Sequence, residues 1–136
     1  MKLSSKARYG LKAMCYLAEH YGEGAKSLNA MAASTQLSEK YLEQLLAILR
    51  KAELVESTRG ASGGYTLSRS PEQISAGEVL RAVEDGLVIV DCLSGQCDNR
   101  QGCTTYHVWN KLYQAINRCL DDMSLASLVE VAEETV

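Results

Sequence analysis

From Ser5 to Tyr21 the apolar positions Ala7, Leu11, Met14, Leu17, Ala18 and Tyr21 recur at steps of three and four, which predicts one face of a helix. Lys6, Arg8 and Lys12 fall on its other faces, and Gly22 and Gly24 end it. Ser27 then offers an N-cap to a short helix from Leu28 to about Ser34. The turn TQL leads to a second cap at Ser38 and a longer helix reaching Ala52. Its stripe is Leu42, Leu45, Leu46 and Leu49, which leaves Lys40, Tyr41, Glu43, Gln44, Ala47 and Lys51 nearer solvent. Two helices joined by a short turn, the second with a polar face, predict a helix-turn-helix.

Directly after that helix, LVESTRGASGGYTL reads as two short strands, Leu54 to Ser57 and Tyr65 to Leu67, around a glycine-rich tip holding Arg59. Gly60, Gly63 and Gly64 allow the positive torsions of a tight loop. A basic hairpin in this place is the wing of a winged helix-turn-helix, and an arginine there suits the narrow, strongly negative minor groove. A plain surface hairpin is the alternative. ISAGEVLRAVED, from Ile74, predicts a further helix, and Gly86 to Gly102 a loop. Helical spacing resumes from Cys103 to about Leu120 through Val108, Leu112, Ala115, Ile116, Cys119 and Leu120, a stripe compatible with a seam between two subunits or with core packing. The tail SLASLVEVAEETV predicts a short acidic helix. The expected fold is mainly α, with residues 1–70 a winged DNA-binding unit and 71–136 a cysteine-rich loop and dimerisation helix.

Length and composition narrow the function classes. A chain of 136 residues with 46% hydrophobic content can bury one core, and no apolar run approaches a membrane span. A cytoplasmic protein is expected. Net charge is −3, but it is unevenly spread: residues 1–70 hold ten Lys and Arg against six Glu, and residues 71–136 hold four against eleven acids. The basic half suits a polyanion, while repulsion keeps the acidic half away from one. A nucleotide-binding glycine loop, a Ser/His/Asp set and paired carboxylates are all missing, so an enzyme is not expected.

The five cysteines are an odd number, so they cannot all pair within one chain, and three of them cluster as C-x4-C-x5-C-x3-H from Cys92 to His107. Structural zinc sites usually show tighter paired knuckles, whereas loose glycine-rich spacing suits a larger inorganic cluster. Thiolates select zinc and iron-sulfur clusters alike, and a thiol-disulfide switch stays open. Cys103 is expected to open the last long helix with His107 one turn on, both near the positive end of the helix dipole, which favours thiolate. Cys92, Cys97, Cys103 and His107 then form the candidate ligand set, with His20, Asp91 and Asp98 as rival fourth ligands. Cys15 and Cys119, among apolar neighbours, are expected to be small core residues.

SSKARYGLKAM near the start, LSEKYLEQLLAILRKAELVESTRGASGGYTL in the middle, and the cysteine-histidine set resemble the iron-sulfur cluster regulator (IscR) family of bacterial transcription factors over nearly the whole chain. The resemblance implies a homodimeric winged helix-turn-helix protein. It also implies a 2Fe-2S cluster on three cysteines and a histidine, and control of cluster-assembly genes through palindrome-like double-stranded DNA operators. Carried onto this chain, Tyr41, Glu43 and Gln44 would read bases beside Lys40, Arg59 and Gly60 would form the reading part of the wing, and Lys6 and Arg8 would sit near phosphates. Glutamine can pair bidentately with adenine, and a carboxylate at Glu43 would reject sites that offer it no cytosine amine. The spacing departs from the assembly regulators, which place five residues between the first two cysteines and the histidine three after the last. The nitric oxide sensing branch carries an acidic ligand where this chain has Arg8.

Overall fold

Each of the first four helices begins on a serine whose side chain accepts from a backbone N–H of the first turn. In this computed structural model, which describes residues 2–84, 86–95 and 100–135, Ser4, Ser27, Ser38 and Ser75 accept from Ala7, Ala30, Tyr41 and Glu78. Each cap satisfies an amide that helix geometry leaves without a partner. The helices so started are α1 (Ser5–Glu19), α2 (Leu28–Thr35), α3 (Glu39–Lys51) and α4 (Ala76–Val83). α5 (Tyr106–Asp121) and α6 (Leu125–Thr135) follow.

The stripe expected of α3 is buried throughout: Leu42, Leu45, Leu46 and Leu49 are at most 1% exposed. Leu42, Leu46 and Leu49 close on Ala7, Ala13, Met14, Leu17 and Ala18 of α1, and Ile74, Val79, Leu80, Val83 and Leu125 complete the same core. One core therefore draws on both halves of the chain. α1 packs against α2, α3, α4, α6 and the sheet.

The wing is a two-stranded antiparallel sheet, β1 (Val55–Thr58) and β2 (Gly64–Leu67), in register from Val55 opposite Leu67 to Thr58 opposite Gly64. Leu54 is buried just before the ladder, and its carbonyl accepts from Ser68 N–H at 3.1 Å. Lys26 adds a third edge, exchanging 2.8 and 3.0 Å backbone hydrogen bonds with Tyr65. Its carbonyl presses so closely on Gly64 that any Cβ there would collide with it.

Four expectations change. α4 starts two residues after Ile74, because Ser75 and Glu78 close a reciprocal capping box and Ile74 turns fully into the core. The loop from Gly86 holds a 3-10 turn, Asp91–Leu93. Tyr21 is 51% exposed because α1 ends at Glu19, before the periodicity does. Cys119 is exposed, since it shares an open stripe of α5 with Val108 (55% exposed) and Leu112 (45%), while Tyr113 and Leu120 pack on the core. α5 has no buried residue.

Glu78 also sets an acid limit to stability. Burial alone would raise its carboxyl, but the Arg69 guanidinium at 2.8 Å, the Ser75 N–H and the charges of Arg69 and Arg81 outweigh it and hold it below its usual value. A carboxyl depressed by folding contributes stability above its unfolded value, near 4.3 for glutamate, and that contribution is lost as pH falls through the folded value. Urea unfolding of Glu78→Gln should therefore show a deficit against the parent at about pH 6 that vanishes by about pH 3; a deficit independent of pH would remove this role.

Candidate DNA interface and thiol site

The outward face of α3 carries Lys40, Glu43 and Gln44 in solvent. Tyr41, half-buried between them and the core, meets the Tyr9 ring edge-on at 6.0 Å, and the Arg8 guanidinium lies over the Tyr9 ring, 5.2 Å from its centroid. The Arg8–Tyr9–Tyr41 contact joins the start of α1 to the first turn of α3. Lys6 and Lys51 line one shallow groove with Ile48, Ala52, Ala82 and Val83. The cations of α1 and the polar side chains of α3 thus belong to one surface.

Arg50 Nη1 donates to Ser57 Oγ at 3.0 Å, tying the end of α3 to the first wing strand. Arg59 is exposed just past β1, and Gly60 adopts φ 110°, a left-handed torsion that glycine tolerates best. At the other margin, the Ser4 N–H (2.9 Å) and hydroxyl both donate to Glu84 Oε1. The carboxylate that follows α4 thereby holds the start of the helix bearing Lys6 and Arg8.

The thiol region gathers at the head of α5. Cys92 is half-buried in the 3-10 turn, which packs on α5. Arg100 Nη2 donates to the Cys92 carbonyl at 3.3 Å while its guanidinium covers the Tyr106 ring at 4.9 Å. Tyr106 in turn meets the His107 ring at 6.2 Å. Contrary to expectation, Cys103 lies outside the helix, which starts three residues later at Tyr106. Its sulfur is 3.3 Å from Thr105 Oγ1. The Thr105 hydroxyl, then the backbone N–H groups of Thr105 and Tyr106, pull its thiol below the usual value. The lowering expected of the dipole thus comes from hydrogen bonds made to the helix start from outside it.

Cys97 and Asp98 lie outside the described residues, and among the described residues no three His, Cys, Asp or Glu side chains stand close enough to hold a metal ion. His20, at the end of α1, meets the Tyr16 ring at a tilt with centroids 4.5 Å apart and faces Glu23 at 3.1 Å. Asp91 opens the turn that carries Cys92. Cys15 packs against the core, and burial, with Glu19 adding to it, pushes its thiol up to about 11. Tyr9, Arg50, Glu84, Arg100 and Thr105 were not expected at these places; only Tyr9, next to Arg8 in a basic first turn, had a visible cue.

A capped helix pair followed by a wing with Arg59 exposed beside its turn, and with polar and cationic side chains on one surface, defines a winged helix-turn-helix DNA-binding regulator. The chain belongs to the Rrf2 family, described as iron-dependent transcriptional regulators, whose model matches residues 3–131. It is 39% identical to the HTH-type transcriptional regulator CymR of Bacillus subtilis (98% of this chain, 93% of that one). It is also 39% identical to the HTH-type transcriptional regulator IscR of Sodalis glossinidius (98% and 81%). Among solved structures, IscR of T. potens superposes with a TM-score of 0.82 at 43% identity, covering 99% of this chain and 90% of the other. These relatives bear out the resemblance to IscR and place CymR beside it. The chain is a transcriptional regulator, and relatives named as regulators speak against an enzyme. No described helix is long and apolar enough to cross a membrane.

Removing the Thr105 hydroxyl should weaken the hold on the Cys103 thiolate. Alkylation of Cys103 in Thr105→Val, followed by mass spectrometry at neutral pH, should slow by roughly three- to tenfold, with the rate profile moved to higher pH. An unaltered profile would contradict the assignment.

Proposed function

We propose that this chain is a cytoplasmic, homodimeric transcription factor whose grip on palindrome-like double-stranded DNA responds to a 2Fe-2S cluster held by Cys92, Cys97, Cys103 and His107. The observation that carries the reading is the seat of Cys103: a thiol whose hydrogen bonds favour the anionic ligand form, at the head of the helix bearing His107 and packed against the turn bearing Cys92. Three sulfurs and one imidazole are a donor set that suits such a cluster. When bound, it supplies a redox-active centre whose presence reports iron and sulfur supply.

The remaining roles belong to the chain's own groups. Lys6, Arg8 and Lys40 neutralise phosphates, Tyr41, Glu43 and Gln44 face base edges, and Arg59 with Gly60 enters the minor groove. Arg8 also holds Tyr9 against Tyr41, so a phosphate contact there bears directly on α3. The exposed stripe of Val108, Leu112, Ala115 and Cys119 supports a two-helix seam with a second copy, which would space two reading heads for half-sites about one helical turn apart.

A second reading keeps the reading head and makes the cysteines a thiol switch or zinc site. The lowered Cys103 thiol favours it, because thiolate is also the nucleophile in disulfide exchange, and so does kinship with CymR, called the global cysteine regulator of B. subtilis.

Oxygen-free reconstitution with iron and sulfide separates the two. The first reading expects a reddish protein with visible absorption and iron and sulfide in near equal amounts, lost in Cys92→Ala and Cys103→Ala. A colourless protein with stoichiometric zinc, or a metal-free one whose DNA affinity follows peroxide alone, supports the second. On the DNA side, Glu43→Ala should broaden the set of duplexes that metal-free protein selects from a random pool; an unchanged set would remove the rejecting role of that carboxylate.

A further inference from the structure

α5 is attached to the reading head by a small, specific joint. On α4, Gly77 and Arg81 stand one turn apart; on α5, Asn117 and Asp121 do the same. Arg81 Nη1 donates to Asn117 Oδ1 at 2.9 Å and Nη2 to Asp121 Oδ1 at 2.5 Å, so one guanidinium spans both turns of α5. Asp121 Oδ1 occupies the space where any Cβ on Gly77 would stand, and both Arg81 nitrogens would lie 3.0 Å from that Cβ. A Cβ on Gly77 would therefore push the Asp121 carboxylate out of the slot that the forked Arg81 donor holds it in. Two backbone bonds close the same end, Ala76 N–H to the Met123 carbonyl (2.8 Å) and Leu125 N–H to the Ile74 carbonyl (2.9 Å).

The joint's place matters more than its strength, because Arg81 and Asp121 are 36% and 46% exposed and such pairs contribute little to global stability. α4 packs on α1 and α3, the two helices that carry the DNA-facing side chains. α5 has no buried residue and bears His107 in its first turn, with the Cys92 turn packed on it. A helix with so little core of its own takes its orientation from whatever clamps it.

We infer that Arg81 is the positioning residue that couples the thiol segment to the reading head, by fixing how α5 lies against α4. This rests on the reading that the Cys92–His107 segment senses and the α3 surface binds DNA, but not on which inorganic centre the thiols hold. Coupling between two sites is reciprocal in binding free energy, so an occupant of the thiols that alters DNA affinity has its own affinity altered by DNA by the same factor. Alkylation rates serve as the readout of the thiol segment's displacement.

The experiment uses the full-length, metal-free protein and a duplex selected by it from a random pool. Alkylation rates of Cys92 and Cys103 are measured by mass spectrometry with and without saturating duplex. For the parent, the duplex should change at least one rate by about fivefold or more. In Arg81→Gln and, independently, Asp121→Asn, the ratio should fall to about twofold or less, while duplex affinity stays within about threefold of the parent and circular dichroism confirms folding. Arg81→Lys, which keeps the charge and loses the fork, should restore the ratio only in part. A ratio that survives in the folded variants overturns the inference, and so does a parent whose thiols are indifferent to DNA. Failure of the cluster reading shows elsewhere, as reconstituted protein without a chromophore, and leaves these ratios interpretable.

Discussion

The structure depends first on how closely neighbours can approach α1. Ala7, Gly10 and Ala13 keep one side of that helix low, and a Cβ on Gly10 would already stand 3.1 Å from a methyl of Val83. Small residues there let α4 settle against α1 while Met14 and Leu17 reach the leucines of α3. Close packing of this kind transmits displacement, because interiors at crystal-like density do not deform smoothly. The first turn of α1 carries Lys6 and Arg8, so its burial is also what aims the cations.

From that centre the molecule runs outward to two polar regions. On the side of the proposed DNA face, Tyr9 meets Tyr41 edge-on between α1 and α3, and Arg50 braces the wing. Toward the thiols, α4 leads into the cysteine segment and takes hold of the end of α5. Glu84 touches both routes: it follows α4 on the way to Cys92, and its carboxylate caps the chain start through Ser4. The two polar regions are therefore linked through the core from both ends of the cysteine segment.

How much of this the sequence could reveal depends on whether the determining contacts are local. The α3 stripe and its serine cap are set within one or two turns, and the leucine spacing names each buried residue. The wing is legible because its glycines and its place after α3 are both local cues, though the paired register runs from Val55, with Leu54 adding one bond to Ser68 at its end. At Cys103 the periodicity misleads: Thr104 and Thr105 form a turn, and the helix starts only at Tyr106. Spacing also cannot say which apolar stripe finds a partner in its own chain, so Cys119, in an open stripe, was expected to be buried. The contacts that build the site's frame, Ser4 with Glu84 across 80 residues and Arg81 with Asp121 across 40, leave no local trace.

The central claim is that chemistry at the thiols changes what the reading head grips. The most direct measurement is anaerobic titration of one labelled duplex pool with the protein before and after loading with iron and sulfide, recovering and sequencing what binds. The account predicts that loading shifts the preferred duplexes, with affinity for at least one class changing by about fivefold or more. Identical preferences and affinities, with the chromophore demonstrably in place, would contradict it.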